Sequence, residues 1–412
     1  MTNYGRYKHR LISWRVRGDE RQRGVDLPAH RPTHAELFER THHVREDTAI
    51  HRRALITGLA GAGLASPILA AEPDPLGFRP DPAFLEKAMA LLKTHAAIDT
   101  HAHPGLGGSE AKTVADMREG LLAASSFAAV ADRSVLRATP TGIVVDHAFA
   151  AGEAAAAYRS QIDRLHHVAA DLGLPIIRTP ADLDTCAGGK PPGMIVSVEG
   201  GDFLEGDASR LRAARDADDV RIITVVHYRP NELADNQTSP ARFGRTAEGG
   251  LSPAGVAVVR EMARLGLVID VAHAAEGAVR AAMAETGAPL LCSHTHVKTP
   301  AYDHPRFITK ETARAIAAAG GVVGSWPSGF GGVTLNDFVD RIFVLTEVVG
   351  PDHAALGTDM DANFRPTMSS YRQLPLVVSE LLRRGYGEAN VAGLVGGNFR
   401  RLFDTVWRSR RA

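Results

Sequence analysis

Cysteine is almost missing from this sequence. Cys186 and Cys292 are the only two among 412 residues, so a disulfide framework and a cysteine-rich zinc module are both excluded. Net charge is missing as well. Lys+Arg and Asp+Glu each total 47, which leaves no field to attract nucleic acid or an anionic membrane surface. No stable membrane span is expected either, because the uncharged Gly/Ala-rich run 54–70 is seventeen residues long where a spanning helix needs about 20. No Gly-x-Gly-x-x-Gly turn follows the first strand-like stretch, which argues against a dinucleotide-binding open sheet. What remains is a soluble globular composition, 44% hydrophobic and 23% charged, with ample material for a core. Any metal in such a chain is held by histidines and carboxylates.

The chain changes character near its start. Residues 1–50 hold His9, His30, His34, His42 and His43 among many arginines with little apolar periodicity, and read as a disordered or mis-assigned leader. Residues 51–72 then place Arg52-Arg53 before the apolar run and a small-residue end. That is the pattern of a secretory signal, and the paired arginines suit the twin-arginine route. The expectation is an exported protein, periplasmic or extracellular, with a mature chain starting near Ala71 and one barrel domain over 73–412.

From Asp81 onward apolar runs alternate with amphipathic ones. Strands are predicted over 95–100, 126–131, 194–198, 221–226, 267–271, 290–293, 321–325 and 354–357. Helical patterns over 253–265, 275–286 and 310–319 lie between them. Buried strands with intervening helices call for an α/β fold with a parallel sheet, and the length suits a (β/α)8 TIM-type barrel. A doubly wound open sheet is the alternative. The segment 133–192 exceeds one ordinary connection and is expected to add a helical insertion (148–171) over the barrel mouth. The stretch 371–407 reads as two C-terminal helices.

Chemistry-bearing residues recur where these strands end. In Ile98-Asp99-Thr100-His101-Ala102-His103, a period of two puts both imidazoles on one side. Strand three ends in Glu199-Gly200-Gly201, strand four in His227, strand five in Asp270 and His273, strand six in His294, and strand eight in Asp359 and Asp361. In a (β/α)8 barrel all these ends meet at one face, the face that carries active sites. One histidine after a strand is usually nothing. Repetition on strand after strand is hard to explain by packing, because His and Asp are seldom buried without partners.

Coordination chemistry divides the labour. A catalytic metal pair about 3.5–4 Å apart needs a carboxylate between the ions. Glu199 is the natural bridge, with His101 and His103 holding one metal and His273 and His294 the other. Water bound there becomes hydroxide near neutral pH. Asp359 is the candidate proton shuttle. His227 either polarises a substrate oxygen or is a buried hydrogen-bonded histidine, and Arg306 either clamps a carboxylate or is an exposed arginine. His147, His166 and His167 lie in helical stretches and read as solvated or capping residues. His296 and His304 are near enough to support the site from behind, and Cys292 reads as core.

The ordered set resembles the renal (membrane) dipeptidase family, the M19 metallopeptidases within the amidohydrolase-like barrels. The resemblance spans roughly 96–403. It is carried by Asp99-Thr100-His101, Glu199-Gly200-Gly201, Thr224-Val225-Val226-His227, Ile269-Asp270-Val271-Ala272-His273, Ser293-His294 and Gly357-Thr358-Asp359-Met360-Asp361. The tail, Glu380-Leu381-Leu382-Arg383-Arg384-Gly385-Tyr386 followed by Asn398-Phe399-Arg400-Arg401-Leu402-Phe403, is also similar. The resemblance implies a zinc dipeptidase with two Zn2+ per chain. One ion would lie at His101, the position of His103 and Glu199, the other at Glu199, His273 and His294. It further implies substrate contacts at His227, Arg306 and Asp359, a small dipeptide-like substrate, and a homodimer.

One position departs from the family. Where the family usually has aspartate this chain has His103, which removes a negative charge and resembles the His-x-His of the wider amidohydrolase group. Around Arg306 the match is looser, with Phe307 and Lys310 replacing more typical residues. Two rival readings stand beside the dipeptidase. The same barrel could act on a lactone, a cyclic amide or another small amide. A non-catalytic metal- or peptide-binding protein is the other, but it predicts a missing ligand or base, and none is missing.

Overall fold

The computed structural model describes residues 74–411 apart from 107, 140–141, 189 and 239–248. The leader and signal-like segment expected over 1–72 lie outside the described residues. In chain order the strands are β1 (Ala97–Ala102), β2 (Leu122–Val130), β3 (Leu136–Thr139), β4 (Gly142–Val145), β5 (Gly193–Glu199), β6 (Val220–Thr224), β7 (Val268–Asp270), β8 (Leu291–Thr295), β9 (Val322–Ser325) and β10 (Ala354–Leu356). Eight of them close into a barrel in the order β1-β10-β9-β8-β7-β6-β5-β2, and every adjacent pair is parallel. Each predicted strand falls on one of these eight.

Alternation along the strands sorts the core into two clusters. Ile98, Ala124, Ile195, Ile222, Val268, Leu291, Val322 and Ala355 come one from each barrel strand and pack together without the surrounding helices, so they fill the lumen. Their neighbours Ala97, Val196, Ile223, Ile269, Cys292, Val323 and Leu356 join the helix residues outside. The last helix, Asn398–Arg408, sends Phe399, Leu402, Phe403 and Val406 into the lumen cluster and closes that end of the barrel. Its first side chain, Asn398, donates from Nδ2 to Pro351 O at 2.7 Å and Ala354 O at 2.8 Å, which anchors the helix to the start of β10.

Above the apolar plug the lumen turns polar. Thr100 Oγ1 lies 2.8 Å from both Ser293 O and Leu356 O. The strands there approach so closely that a Cβ on Gly324 or Gly357 would stand 1.8 Å or 1.7 Å from Ser293 O. Glycine is the residue that permits this.

The ring helices start and stop where local chemistry directs. Helix Pro253–Leu265 matches its predicted bounds: Ser252 Oγ accepts from Gly255 N at 3.0 Å, proline occupies the first turn, and Gly266 ends it at φ 72°;. The 133–192 segment carries the hairpin β3–β4 and helix Glu153–Leu172. Gln161 in that helix clasps the end of β2, accepting from Val130 N and donating to Val130 O, both at 2.9 Å. The tail forms three α-helical pieces, Leu374–Arg383, Glu388–Ala392 and Asn398–Arg408, where the pattern predicts two. Among the described residues no helix is long and apolar enough to cross a membrane.

Candidate metal centre

The site rests on a floor of satisfied polar groups. Asp270, the last residue of β7, accepts from Thr224 Oγ1 (2.6 Å), Ser293 Oγ (2.7 Å), Ser293 N (2.9 Å) and Ala272 N (3.0 Å). Asp99 accepts from Tyr371 Oη (2.7 Å), Thr358 N (2.9 Å) and His101 N (3.2 Å), and from Thr358 Oγ1. Burial raises the Asp99 pKa even against these hydrogen bonds. Both carboxylates staple neighbouring strands, so neither is free for chemistry.

One step nearer the mouth the same residue types meet differently. His101 and His103 do share a side, with Nε2 atoms 3.0 Å apart. His273 and His294 form a second pair at 3.1 Å. The Glu199 carboxylate lies between the pairs. Its Oε1 is 3.3 Å from His101, 3.1 Å from His273 and 3.7 Å from His294, and its Oε2 is 3.3 Å from both His103 and His227. Asp359 Oδ1 reaches His103 Nε2 at 3.3 Å. All seven side chains are buried, Asp359 the least at 9% exposure.

The backbone is bent to aim them. His273 and Asp359 take φ values of 65° and 53°, a left-handed conformation costly for residues with a Cβ and typical of functional sites. Asp359 N donates to His101 O (2.8 Å) and His103 N to Met360 O (2.9 Å), which locks the ends of β1 and β10 together. Gly200, at φ 99°, leaves no room for a side chain, since a Cβ there would meet Asp202 Oδ2 at 2.9 Å.

Electrostatics separate the histidines into two kinds. Burial, then the Arg306 and His227 charges, hold His273 well below its ordinary pKa; burial, then His101 and Arg306, do the same for His294. Both are neutral with a lone pair at hand. Burial also opposes charge on His103, but the hydrogen bonds and charges of Asp359 and Glu199 outweigh it and lift the group to about 10. His227 is raised against burial by Asp132 and Glu199. Burial would raise Glu199, but the charges of His227 and His101 and the hydrogen bonds from His101 and His103 pull it well below the usual carboxylate range;.

Imidazole nitrogens facing one another across an ionised carboxylate are a donor set for a divalent cation. Two nitrogens bound at ~2.0–2.1 Å to one tetrahedral ion stand about 3.4 Å apart, close to the spacing within each pair here. His103 Nδ1 is buried and has no partner among the described residues, so the ring is held through its Nε2, the atom that faces His101, Glu199 and Asp359. Three groups of donors lie within 4.8 Å of one another: His101 with His103 and Glu199, His101 with His294 and Asp359, and Glu199 with His227 and His273. The residues present fit a metal, and Glu199 belongs to two of the three groups.

Arg306 joins the cluster from the loop after β8. It is buried, with Nη1 donating to Gln237 Oε1 (2.7 Å) and Nη2 to His273 Nε2 (3.0 Å). The bland reading of an exposed arginine is therefore replaced. His227 gains a partner that the sequence reading missed: Asp132 Oδ1 accepts from its Nδ1 at 2.7 Å, and Asp132 Oδ2 accepts from Arg229 N at 3.1 Å. The signal was present, since Asp132 directly follows the second predicted strand, as the other site residues follow theirs.

Other candidates lie elsewhere. Asp361 accepts from Gly105 N (3.0 Å) and Thr113 Oγ1 (2.6 Å) and pins the loop after β1. His296 accepts from Arg341 Nη1 at 2.7 Å behind the site. His147 pairs with Asp146 and Glu153 on the surface. Cys292 is fully buried in the outer core, and burial pushes its thiol up.

Comparison with known proteins bears on the family and the fold. A family model described as membrane dipeptidase (peptidase family M19) matches residues 85–412. Dipeptidase verJ of Clonostachys rogersoniana is 28% identical over 45% of this chain and 48% of its own length. The chain thus spans about half the length of the curated relatives it matches first. Among solved structures, the probable dipeptidase PvdM from Pseudomonas aeruginosa superposes with a TM-score of 0.67 at 21% identity, covering 80% of this chain and all (100%) of that one. A metallo peptidase from Rhodobacter sphaeroides, liganded with a phosphinate mimic of the dipeptide L-Ala-D-Ala, gives 0.65 at 20% identity over 76% and 99%. At such identities these likenesses speak for the fold.

Proposed function

The chain belongs to the membrane dipeptidase family, peptidase family M19, and from that premise we propose that it is a metal-dependent hydrolase of dipeptide-like amides. The observation that carries the reading is Glu199, an ionised carboxylate set between two imidazole pairs. In this reading His101, His103 and Glu199 would hold one zinc ion, and Glu199, His273 and His294 a second. Bound there, zinc supplies Lewis acidity toward a carbonyl oxygen and makes water easier to deprotonate.

The chain's own residues do the rest. Asp132 accepts a hydrogen bond from Nδ1–H of His227 and with Glu199 raises that ring against burial, so the protonated ring keeps an Nε2–H to donate to the oxyanion of the substrate. Asp359, nearest the mouth, takes a proton on its carboxylate and returns it to the leaving nitrogen. Arg306 orients the free carboxylate of the substrate. Burial of all these groups keeps bulk water out and strengthens each charge.

Metal analysis with a dipeptide assay tests the reading. Two zinc ions per chain, loss of activity on chelation and recovery with Zn2+ are expected. A protein that carries metal and opens lactones or cyclic amides but leaves dipeptides intact overturns it in favour of the related-hydrolase reading, for which His103 in place of the usual aspartate is the supporting feature. The homodimer is checked by sedimentation. Export through the 51–72 segment is checked by sequencing the N-terminus of the exported protein.

A further inference from the structure

The loops after β8, β9 and β10 hold a run of aromatic rings that the metal centre does not use. Trp326, the residue after β9, is buried, with its ring centroid 5.8 Å from that of His294 and 5.2 Å from the Arg306 guanidinium carbon. Phe330 follows at 5.7 Å from Trp326. His304 stacks on Phe330 at 4.0 Å and 23°, and Phe364 stacks on it at 5.1 Å and 23°. The run begins beside a donor histidine and ends at Phe364, which is 50% exposed. Trp326 Nε1 is buried and finds no acceptor among the described residues; a buried indole N–H ordinarily has one.

We propose that His304, Trp326, Phe330 and Phe364 form a specificity subsite for an aromatic or large aliphatic side chain on the carboxylate-bearing residue of the substrate. This rests on the dipeptidase reading, in which Arg306 holds that carboxylate. The indole lies against the same guanidinium, so a side chain on the carbon next to the carboxylate reaches Trp326 and then Phe330. Stacked rings with one face open favour a flat or bulky apolar group over a small one. A few rings are too small a patch for a stable protein partner, and their continuity with the buried centre points inward to a substrate.

Arg341 is the positioning residue of this subsite. It lies buried on helix Leu335–Val349, donating from Nη1 to His296 Nε2 (2.7 Å) and Ser328 O (2.6 Å), and from Nη2 to Phe330 O. Its guanidinium carbon sits 5.4 Å from the Tyr302 ring centroid. One side chain thereby fixes the loop carrying Trp326 and Phe330 against the loop carrying His304.

The test uses the zinc-loaded full chain with glycyl-glycine, glycyl-leucine and glycyl-phenylalanine, and in parallel the binding of N-acetylglycine and N-acetylphenylalanine by calorimetry. kcat/KM and affinity are expected to rise about 10–100-fold from the glycine to the phenylalanine member. Phe364→Ala, at an exposed position, and Phe330→Ala should collapse that ratio. Arg341→Met should raise KM for glycyl-phenylalanine more than for glycyl-glycine. A variant with a lower unfolding midpoint and an unchanged ratio removes Arg341 from the proposal. If dipeptides are cleaved with no preference for the larger side chain, the subsite is overturned and the dipeptidase reading survives. If none is cleaved yet N-acetylphenylalanine binds preferentially and loses this in Phe364→Ala, the subsite stands and the dipeptidase reading falls. Equal binding of both acetylated amino acids overturns the subsite in either case.

Discussion

Two polar layers lie one above the other in the barrel, and they are built from the same kinds of residue. The lower contains Asp99, Thr100, Thr224, Asp270 and Ser293, and the upper His101, His103, Glu199, His227, His273, His294 and Asp359. Both are buried. In the lower layer each carboxylate collects donors from its own neighbours, four of them on Asp270 alone. In the upper layer ring nitrogens face ring nitrogens at 3.0 and 3.1 Å across one carboxylate. Burial of polar groups is therefore not what distinguishes the site. The difference is the donor set, because a buried carboxylate satisfied by hydroxyl and N–H donors stabilises the fold whereas imidazole nitrogens gathered on one carboxylate suit a cation.

That contrast breaks first at Glu199. Glu199→Gln should abolish metal binding and activity together, read by metal analysis and a dipeptide assay. A variant that keeps two metals per chain contradicts the bridge. Asp359→Asn should lower kcat by about 10²–10⁴-fold, the usual range for a general acid–base group, with metal content unchanged. Full activity in that variant removes the proton-shuttle role.

The lower layer should respond in stability instead. Asp270→Ala strands two hydroxyl and two N–H donors, and is expected to cost about 3 kcal/mol or more at about 1–3 kcal/mol for each donor left unpaired. Denaturant unfolding measures this, and an unchanged midpoint would equate the two layers. Asp132→Asn sharpens the comparison from outside, because it leaves the metal-facing side chains in place and removes the negative charge that orients and raises the His227 ring. A loss of about 10–100-fold in activity is expected for a partner that orients a site histidine, with zinc retained. Loss of zinc in step with activity would instead make His227 a ligand.

Much of this was readable in advance. The eight barrel strands are each anticipated from apolar runs of four to six residues, because a strand buried on both faces leaves an uninterrupted apolar signal. The bounds of Pro253–Leu265 followed from its serine, proline and glycine. His101 and His103 were placed on one side by strand parity alone. The hairpin β3–β4 was not anticipated: its strands are four residues each and half of its positions are exposed, so neither apolar length nor clean alternation marks it. The third tail helix was hidden because Gly393 to Gly397 continues the apolar pattern while the backbone breaks at Gly396.

Sequence by itself determined the barrel and the residue types at its mouth, because apolar periodicity and the position after a strand are local properties of the chain. Tertiary structure decided which of those residues do chemistry. Asp270 and Glu199 look alike after their strands, and only their neighbours make one a staple and set the other between two imidazole pairs. The same holds for Asp132 beneath His227 and for the rings of His304, Trp326, Phe330 and Phe364. Hydrogen-bond satisfaction and ring contact are properties of pairs that closure of the barrel brings together, from as far apart as positions 99 and 371.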